Sequence, residues 1–306
     1  MSNLVSAIVG SDEKSLSGFV DYAGPRASRR ARTVVRYLSN REVSIPLGVL
    51  LLVVFFCFAG PYIFDLPGPN AGSLSQIYLP LGSAGHLFGT DADGNDLLSR
   101  LLYGGRISIE VGLGATSIGF AIGSTLGTLA GYLGGFVDSL IMRILDIFLG
   151  FPGLILALAI ATYLGASVRN VIFALSFFSI PAYGRLCRAN VMRLKGRDFI
   201  AAARAMGGGA WYVMRRHIPP NILPAMLTFA FMQIGIAILA EASLSYLGAG
   251  VKVPTPTWGN LISQGQSDLA QRPYLVLIPG AMLFITILSC NLLANGLRTV
   301  ATGEGS

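Results

Sequence analysis

Six apolar runs, each long enough to cross a bilayer, constrain this chain more than any other feature. They lie at about 43–64, 107–133, 139–165, 168–190, 221–247 and 274–297, and a helix needs roughly 20 such residues to span the hydrocarbon core. Hydrophobic residues make up 53% of the 306 and charged ones only 12%, about half the share in an ordinary soluble domain. The expectation is an all-α polytopic membrane protein, because a helix satisfies its own backbone where lipid offers no partner. Gly134-Gly135, Gly165, Pro181, Pro219-Pro220, Pro254 to Pro256 and Pro273 supply most of the boundaries and one kink.

Cations set the sidedness. Arg26, Arg29, Arg30, Arg32, Arg36 and Arg41 precede the first run, and Arg185, Arg188, Arg193, Lys195, Arg197, Arg204, Arg215 and Arg216 cluster at the end of the fourth and beyond it. The positive-inside rule makes both groups cytoplasmic, and six alternating spans permit it with both termini on that side. The segments at about 65–105 and 248–273, which carry Asp65, Asp91, Asp93, Asp96 and Asp268, then face outward. The net charge of +7 reports orientation, not nucleic acid. The basic arm reads either as an anchor on anionic lipid or as a partner site. The start, MSNLVSAIVG, lacks the basic flank and apolar core of a cleavable signal, so the first run is expected to stay. The chain thus divides into a tail and basic arm at 1–42, a membrane domain at 43–298 with a polar loop at 195–220, and a tail at 299–306.

Within the second run, Ala115, Gly119, Gly123, Gly127, Gly131 and Gly135 recur every fourth residue. Small residues at this spacing let helix backbones approach closely. A four-residue step overshoots a 3.6-residue turn by about 40°, so the ridge is expected to wind round and meet more than one neighbour. Glu110 and Asp146 fall near span ends, whereas Glu241 lies inside the fifth span. An intramembrane carboxylate is a functional candidate, and for Glu241 two readings stand: a gating role, or a structural hydrogen-bond partner. Cys57, Cys187 and Cys290 each sit in an apolar run and read as small buried hydrophobes.

Several chemistries are absent. The sequence contains no GxxxxGK[ST] phosphate loop and only Lys14, Lys195 and Lys252 as lysines. With His86 and His217 as the two histidines and no cysteine cluster, a metal site is not expected. No G-x-S-x-G elbow or site-like carboxylate pair supports an enzyme. Two classes remain: a membrane subunit driven by another chain, or a self-sufficient carrier or channel driven by a gradient.

The discriminating feature is RDFIAAARAMGGGAWYVMRRHIPPNILP, Arg197 to Pro224. Asp198 can cap a short helix, with Phe199, Ala203 and Met206 along one face. Gly207, Gly208 and Gly209 end that helix, Pro219-Pro220 stop a second piece, and Pro224 is placed to open the next span. Such an element is either a stiff docking rod or an interfacial helix lying on lipid.

This stretch resembles the cytoplasmic loop of ABC importer permeases, E-A-A-x3-G-x9-I-x-L-P. Ala201, Ala202, Ala203 and Gly207 fall in order, and His217, Ile218, Pro219 and Pro220 close it. Ala201 stands for the glutamate, His217 for the isoleucine and Pro219 for the leucine, leaving shape, Arg204 and neighbouring cations to hold a contact. His86 to Leu113, Gly131 to Pro152, Ala240 to Ile262 and Asn291 to Arg298 are similar to the second permease subunit of the dipeptide, oligopeptide and nickel branch. The resemblance implies a type I permease fold in the bacterial inner membrane. It also implies a homologous permease partner, two ATP-binding subunits that hold ATP and Mg, and an external substrate-binding protein. This chain itself would carry no cofactor. Asp198, Ala201, Ala202, Ala203, Arg204, Gly207, His217 and Pro220 would couple to the ATPase, and Trp258 would be a binding-protein contact or an interfacial anchor. Peptides are the expected cargo, with nickel or another small solute as the alternative.

Overall fold

The computed structural model describes residues 40–302, and side chains as far as Ala301, so most of the basic arm and both terminal tails lie outside the described residues. Ten α-helices account for most of the rest: α1 (Arg41–Ile63), α2 (Leu97–Leu133), α3 (Gly135–Leu149), α4 (Gly153–Leu164), α5 (Val168–Lys195), α6 (Asp198–Ala205), α7 (Ala210–Arg216), α8 (Ile218–Tyr246), α9 (Trp258–Gly265) and α10 (Tyr274–Thr302). Among the described residues the only β pairing is two isolated bridges in the loop before α2.

Five helices, α1, α2, α5, α8 and α10, are each long and apolar enough to cross a membrane. The third expected span is not one helix. It is the pair α3 and α4, bent by 80° at the break. Pro152 explains the break: it disfavours helical backbone at Phe151 and brings no N–H of its own, and α4 starts directly after it. Hydropathy alone reads straight through this point because Phe151 and Leu154 are as apolar as their neighbours.

The second span starts ten residues earlier than the apolar run. Asp96 caps it by accepting from the Ser99 amide at 2.7 Å, and its 37 residues make a rod of about 55 Å, well beyond the roughly 30 Å core of a bilayer. Glu110 consequently stands well inside α2, exposed on its surface, not near an end.

The glycine ridge meets a single partner at four successive positions. A Cβ on Gly123 would sit 2.5 Å from the Ile180 carbonyl oxygen, and one on Gly131 would sit 2.9 Å from that of Arg188. Gly119 abuts Ser179, and Gly127 abuts the Gly184 carbonyl and Cys187. Residue numbers rise together on both sides, so α2 and α5 run parallel, as alternation through a broken third span requires. The expected winding away does not occur. Ser179, Tyr183, Cys187 and Val191 are buried on α5 at the same four-residue spacing, and a shared repeat longer than 3.6 keeps register if the two helices coil about each other in a right-handed sense.

Ion pairs draw α3 onto α5. Arg188 grips Asp138 with two bonds of 2.5 and 2.6 Å, and Arg185 reaches Asp146 at 2.6 Å. Leu145 is buried at this crossing, where a Cβ on Gly184 would meet its methyl group.

The bundle has two distinct ends. At one, α6 and α7 sit beneath the end of α2 and the start of α8. At the other, the 64–96 loop is stapled to the segment before α10: the Tyr78 hydroxyl donates to Asp268 at 2.9 Å, and Arg272 lies 3.8 Å over the Tyr78 ring. That hydrogen bond to Asp268 holds the Tyr78 phenol above its ordinary value.

Candidate docking site on the short-helix hairpin

Gly196 ends α5, and Arg197 turns the chain with extended backbone (φ −82°, ψ 146°) into α6. Asp198 makes no capping hydrogen bond, because Arg197 occupies the cap position; it acts only as a negative charge in the first turn. The buried face is also not the expected one. Ile200 and Ala203 are covered, whereas Phe199 is half exposed and Met206 is 82% exposed. Ile200 and Ala203 join Val213 and Met214 of α7, Ile218 and Ile222 of α8, and Tyr132, Tyr183 and Val191 in one apolar cluster. The hairpin is therefore seated on three spans through apolar contacts.

Its turn depends on two glycines. Gly207 adopts φ +85°, a region costly for other residues, and its amide bonds to the Arg204 carbonyl while that of Gly208 reaches back to Ala203. These two bonds close the helix end. A Cβ on Gly208 would fall 2.6 Å from the Ala203 carbonyl oxygen, while nothing lies near one on Gly207. Gly207 is thus required for its conformation and Gly208 for close approach.

Pro219 and Pro220 do not stop the second piece. They stand in the first turn of α8, where a missing N–H is harmless, and Pro224 lies inside that helix. His217 is the sole residue between α7 and α8. Its ring touches Tyr212 edge-on at 5.4 Å and Phe199 at 6.5 Å, joining the outward faces of α6 and α7. Trp211 is 60% exposed with Arg215 stacked on it at 4.9 Å. Arg204 folds back over Tyr132 at 5.1 Å and donates to its hydroxyl at 3.2 Å. Ala201 and Ala202 face outward beside Asp198, and their small size leaves room for another surface. The arrangement has no catalytic constellation. It offers an apolar and aromatic face ringed by cations, and large exposed apolar patches mark interaction sites.

Residues 123–301 match the family described as "Binding-protein-dependent transport system inner membrane component". The chain belongs to that family. Glutathione transport system permease proteins (GsiD) from Escherichia coli O6:K15:H31 and from Shigella boydii serotype 4 are each 42% identical over 266 residues, covering 85% of either chain. The counterpart from Pectobacterium atrosepticum is 38% identical over 264 residues, covering 86% of this chain and 87% of its own.

As a permease of this family the chain is a multi-pass inner-membrane component of an ABC importer of the peptide-type branch, one subunit of a larger transport complex and not its catalytic part.

The permease's other expected site residues fall elsewhere. Gly119, Gly123, Gly127 and Gly131 are residues of α2 that pack against α5, as described above. Trp258 is fully buried, its indole donating to the Leu101 carbonyl at 3.0 Å, so it reaches neither a partner nor the lipid interface. Glu241 is also fully buried. It accepts from the Ser108 hydroxyl at 2.8 Å and the Ser245 hydroxyl at 2.7 Å, which favours the structural reading. Among the described residues no group of histidine, cysteine and carboxylate side chains could hold a metal.

The sequence reading missed one charge at the edge of a span. Pro61, inside α1, leaves the Cys57 carbonyl without its helical donor. Arg106 of α2 supplies one, bonding Cys57 O at 2.7 Å and Phe58 O at 3.0 Å while stacking on Tyr103 at 4.4 Å. The signal was available: a proline in the last turn of an apolar run leaves a carbonyl that demands a donor from elsewhere.

Proposed function

We propose that this permease is the second subunit of a heterodimeric peptide importer, and that α6 and α7 are the element through which ATPase subunits drive it. The carrying observation is the hairpin's outward face, where Met206, Trp211, Tyr212 and Phe199 lie exposed beside Arg197, Arg215 and Arg216 although the opposite face is firmly seated. A homologous permease completes the pathway, two ATPase chains bind ATP and Mg, and an external binding protein delivers the cargo. Both termini then lie with the hairpin on the cytoplasmic side. The relatives' printed activity, glutathione transport, supports a small peptide over nickel.

The test is reconstitution of the transporter with its partner subunits. Cysteine at exposed Ala201 is expected to cross-link to an ATPase chain, and uptake of labelled glutathione or dipeptide to require ATP hydrolysis. Uptake that continues without the ATPase subunits would overturn the reading. Competition by a nickel chelate but not by peptides would reassign the cargo.

A further inference from the structure

The carboxylate of Glu241 does more than satisfy two hydroxyls. Ser108, which donates to it from α2, also accepts from the Trp258 amide at 3.3 Å; Ser245, which donates to it from α8, also accepts from the Val251 amide at 3.3 Å. Both ends of the 251–258 segment are thus hung on one buried side chain. With Glu241 accepting, each serine proton points inward and each oxygen lone pair turns to the loop. Packing at the same place is tight: a Cβ on Gly104 would meet Thr257 at 3.3 Å, one on Gly105 would meet the Trp258 ring at 2.7 Å, and Gly259 abuts the Ala242 carbonyl.

The same helix starts at the hairpin. His217 closes α7 and opens α8, and Ile218, Ile222 and Met226 share the apolar cluster that seats α6 and α7. From Ile218 to Glu241 the helix is continuous, a distance of about 35 Å at 1.5 Å per residue. A displacement of the hairpin therefore reaches the level of Glu241 through one element.

We infer that Glu241 is a positioning residue which fixes the 251–258 segment to α2 and α8, so that movement of the hairpin is delivered to the opposite face as a single displacement. The inference rests on the coupling reading above. It assigns to Glu241 neither substrate contact nor proton transfer, only the orientation of two serines and the loop they carry.

The experiment uses the complete reconstituted transporter. Glu241→Leu, similar in size but unable to accept, is expected to leave basal ATPase and subunit assembly in place. It should reduce both uptake and the stimulation of ATPase by loaded binding protein about tenfold, within the range of coupling between distant sites. Glu241→Gln, which retains one acceptor, should restore a large part of both, a rescue that a mere volume requirement would give to Leu as well. Full stimulation and uptake in Glu241→Leu would overturn the inference.

A second arm does not depend on that variant folding. Spin labels on exposed Val253 and exposed Leu113 in a chain retaining Glu241 should keep one distance between the resting and ATP-trapped states, while a label pair across the two permeases reports that the transition has occurred. A change in the Val253 to Leu113 distance would equally overturn it. If wild-type uptake ignores ATP hydrolysis, the coupling reading fails by itself, and the label distance alone then judges whether the segment moves with α2.

Discussion

The two ends of α8 contrast in how they treat polar and apolar groups. At the loop end, Glu241, Ser108, Ser245 and Trp258 are buried and hydrogen-bonded within the chain, and no large aromatic of that group is left outside. At the hairpin end, Trp211, Tyr212 and Met206 are exposed next to arginines. Burying an unpaired polar group costs about 1–3 kcal/mol, so the loop end is complete only if each partner is present in this chain. Exposed aromatics carry no such internal constraint, and their gain is realised on contact with another surface. One end of the helix is satisfied within its own chain; the other leaves aromatic side chains exposed beside cations.

This contrast can be tested at four points. The largest effect is expected where both ends are held together, at the α2–α5 seam. Gly127→Leu must fit a side chain against the Gly184 carbonyl and Cys187; overpacking typically costs about 1–3 kcal/mol, and because the obstruction is backbone the cost should reach or pass the upper bound. Loss of purified, monodisperse protein in detergent is the readout, and unchanged thermal stability would show that the seam is looser than described.

Next in size is Gly207→Val at the hairpin turn. Left-handed backbone costs a residue with a Cβ about 1–2 kcal/mol, more when the side chain is β-branched, while nothing lies within 4 Å of an added Cβ. Assembly of the permease pair should survive and uptake should fall more than tenfold. Gly207→Asn, tolerant of that conformation, should recover most of it.

Smaller still, Trp211→Ala combined with Met206→Ala removes apolar area from the outward face without touching the seated one. Affinity for the ATPase subunits should fall roughly tenfold, about 1.4 kcal/mol, with the melting temperature of the isolated permease unchanged. A drop in melting temperature would place these side chains inside the fold and erase the contrast between the ends.

The least effect belongs to the Tyr78 staple. Because its phenol is held above its ordinary value by Asp268, the contribution is fully present below the unfolded value near pH 10 and is lost as pH rises through the raised folded value. Tyr78→Phe should be nearly silent at neutral pH and should abolish this alkaline loosening of the loop, read as protease sensitivity between pH 8 and about 11.

Much of the fold was legible because hydropathy and residue size act locally. Apolar length locates α1, α5, α8 and α10, and the four-residue glycine spacing announces a seam, since only small residues allow that approach. Its partner was not legible: the repeat drifts on a straight helix, and whether it winds away or coils with one neighbour depends on a matching repeat in α5. The bend between α3 and α4 was half legible, with Pro152 in plain view inside an otherwise unbroken apolar run. For the hairpin, the glycine turn followed from local backbone rules. The buried face did not, because Ile200 and not Phe199 or Met206 happens to point at Tyr132 and Val191.

By itself the sequence determined that this chain must cross a membrane as helices and where they could begin and end, because bilayer thickness and proline geometry act on short segments. Tertiary structure decided which groups answer one another. Ser108, Glu241, Ser245 and Trp258 are spread over 150 positions, and Pro61 and Arg106 lie on different helices; no local rule relates them. They are paired because a low-dielectric interior penalises every unpartnered polar group, and only the packed bundle determines which partner is within reach.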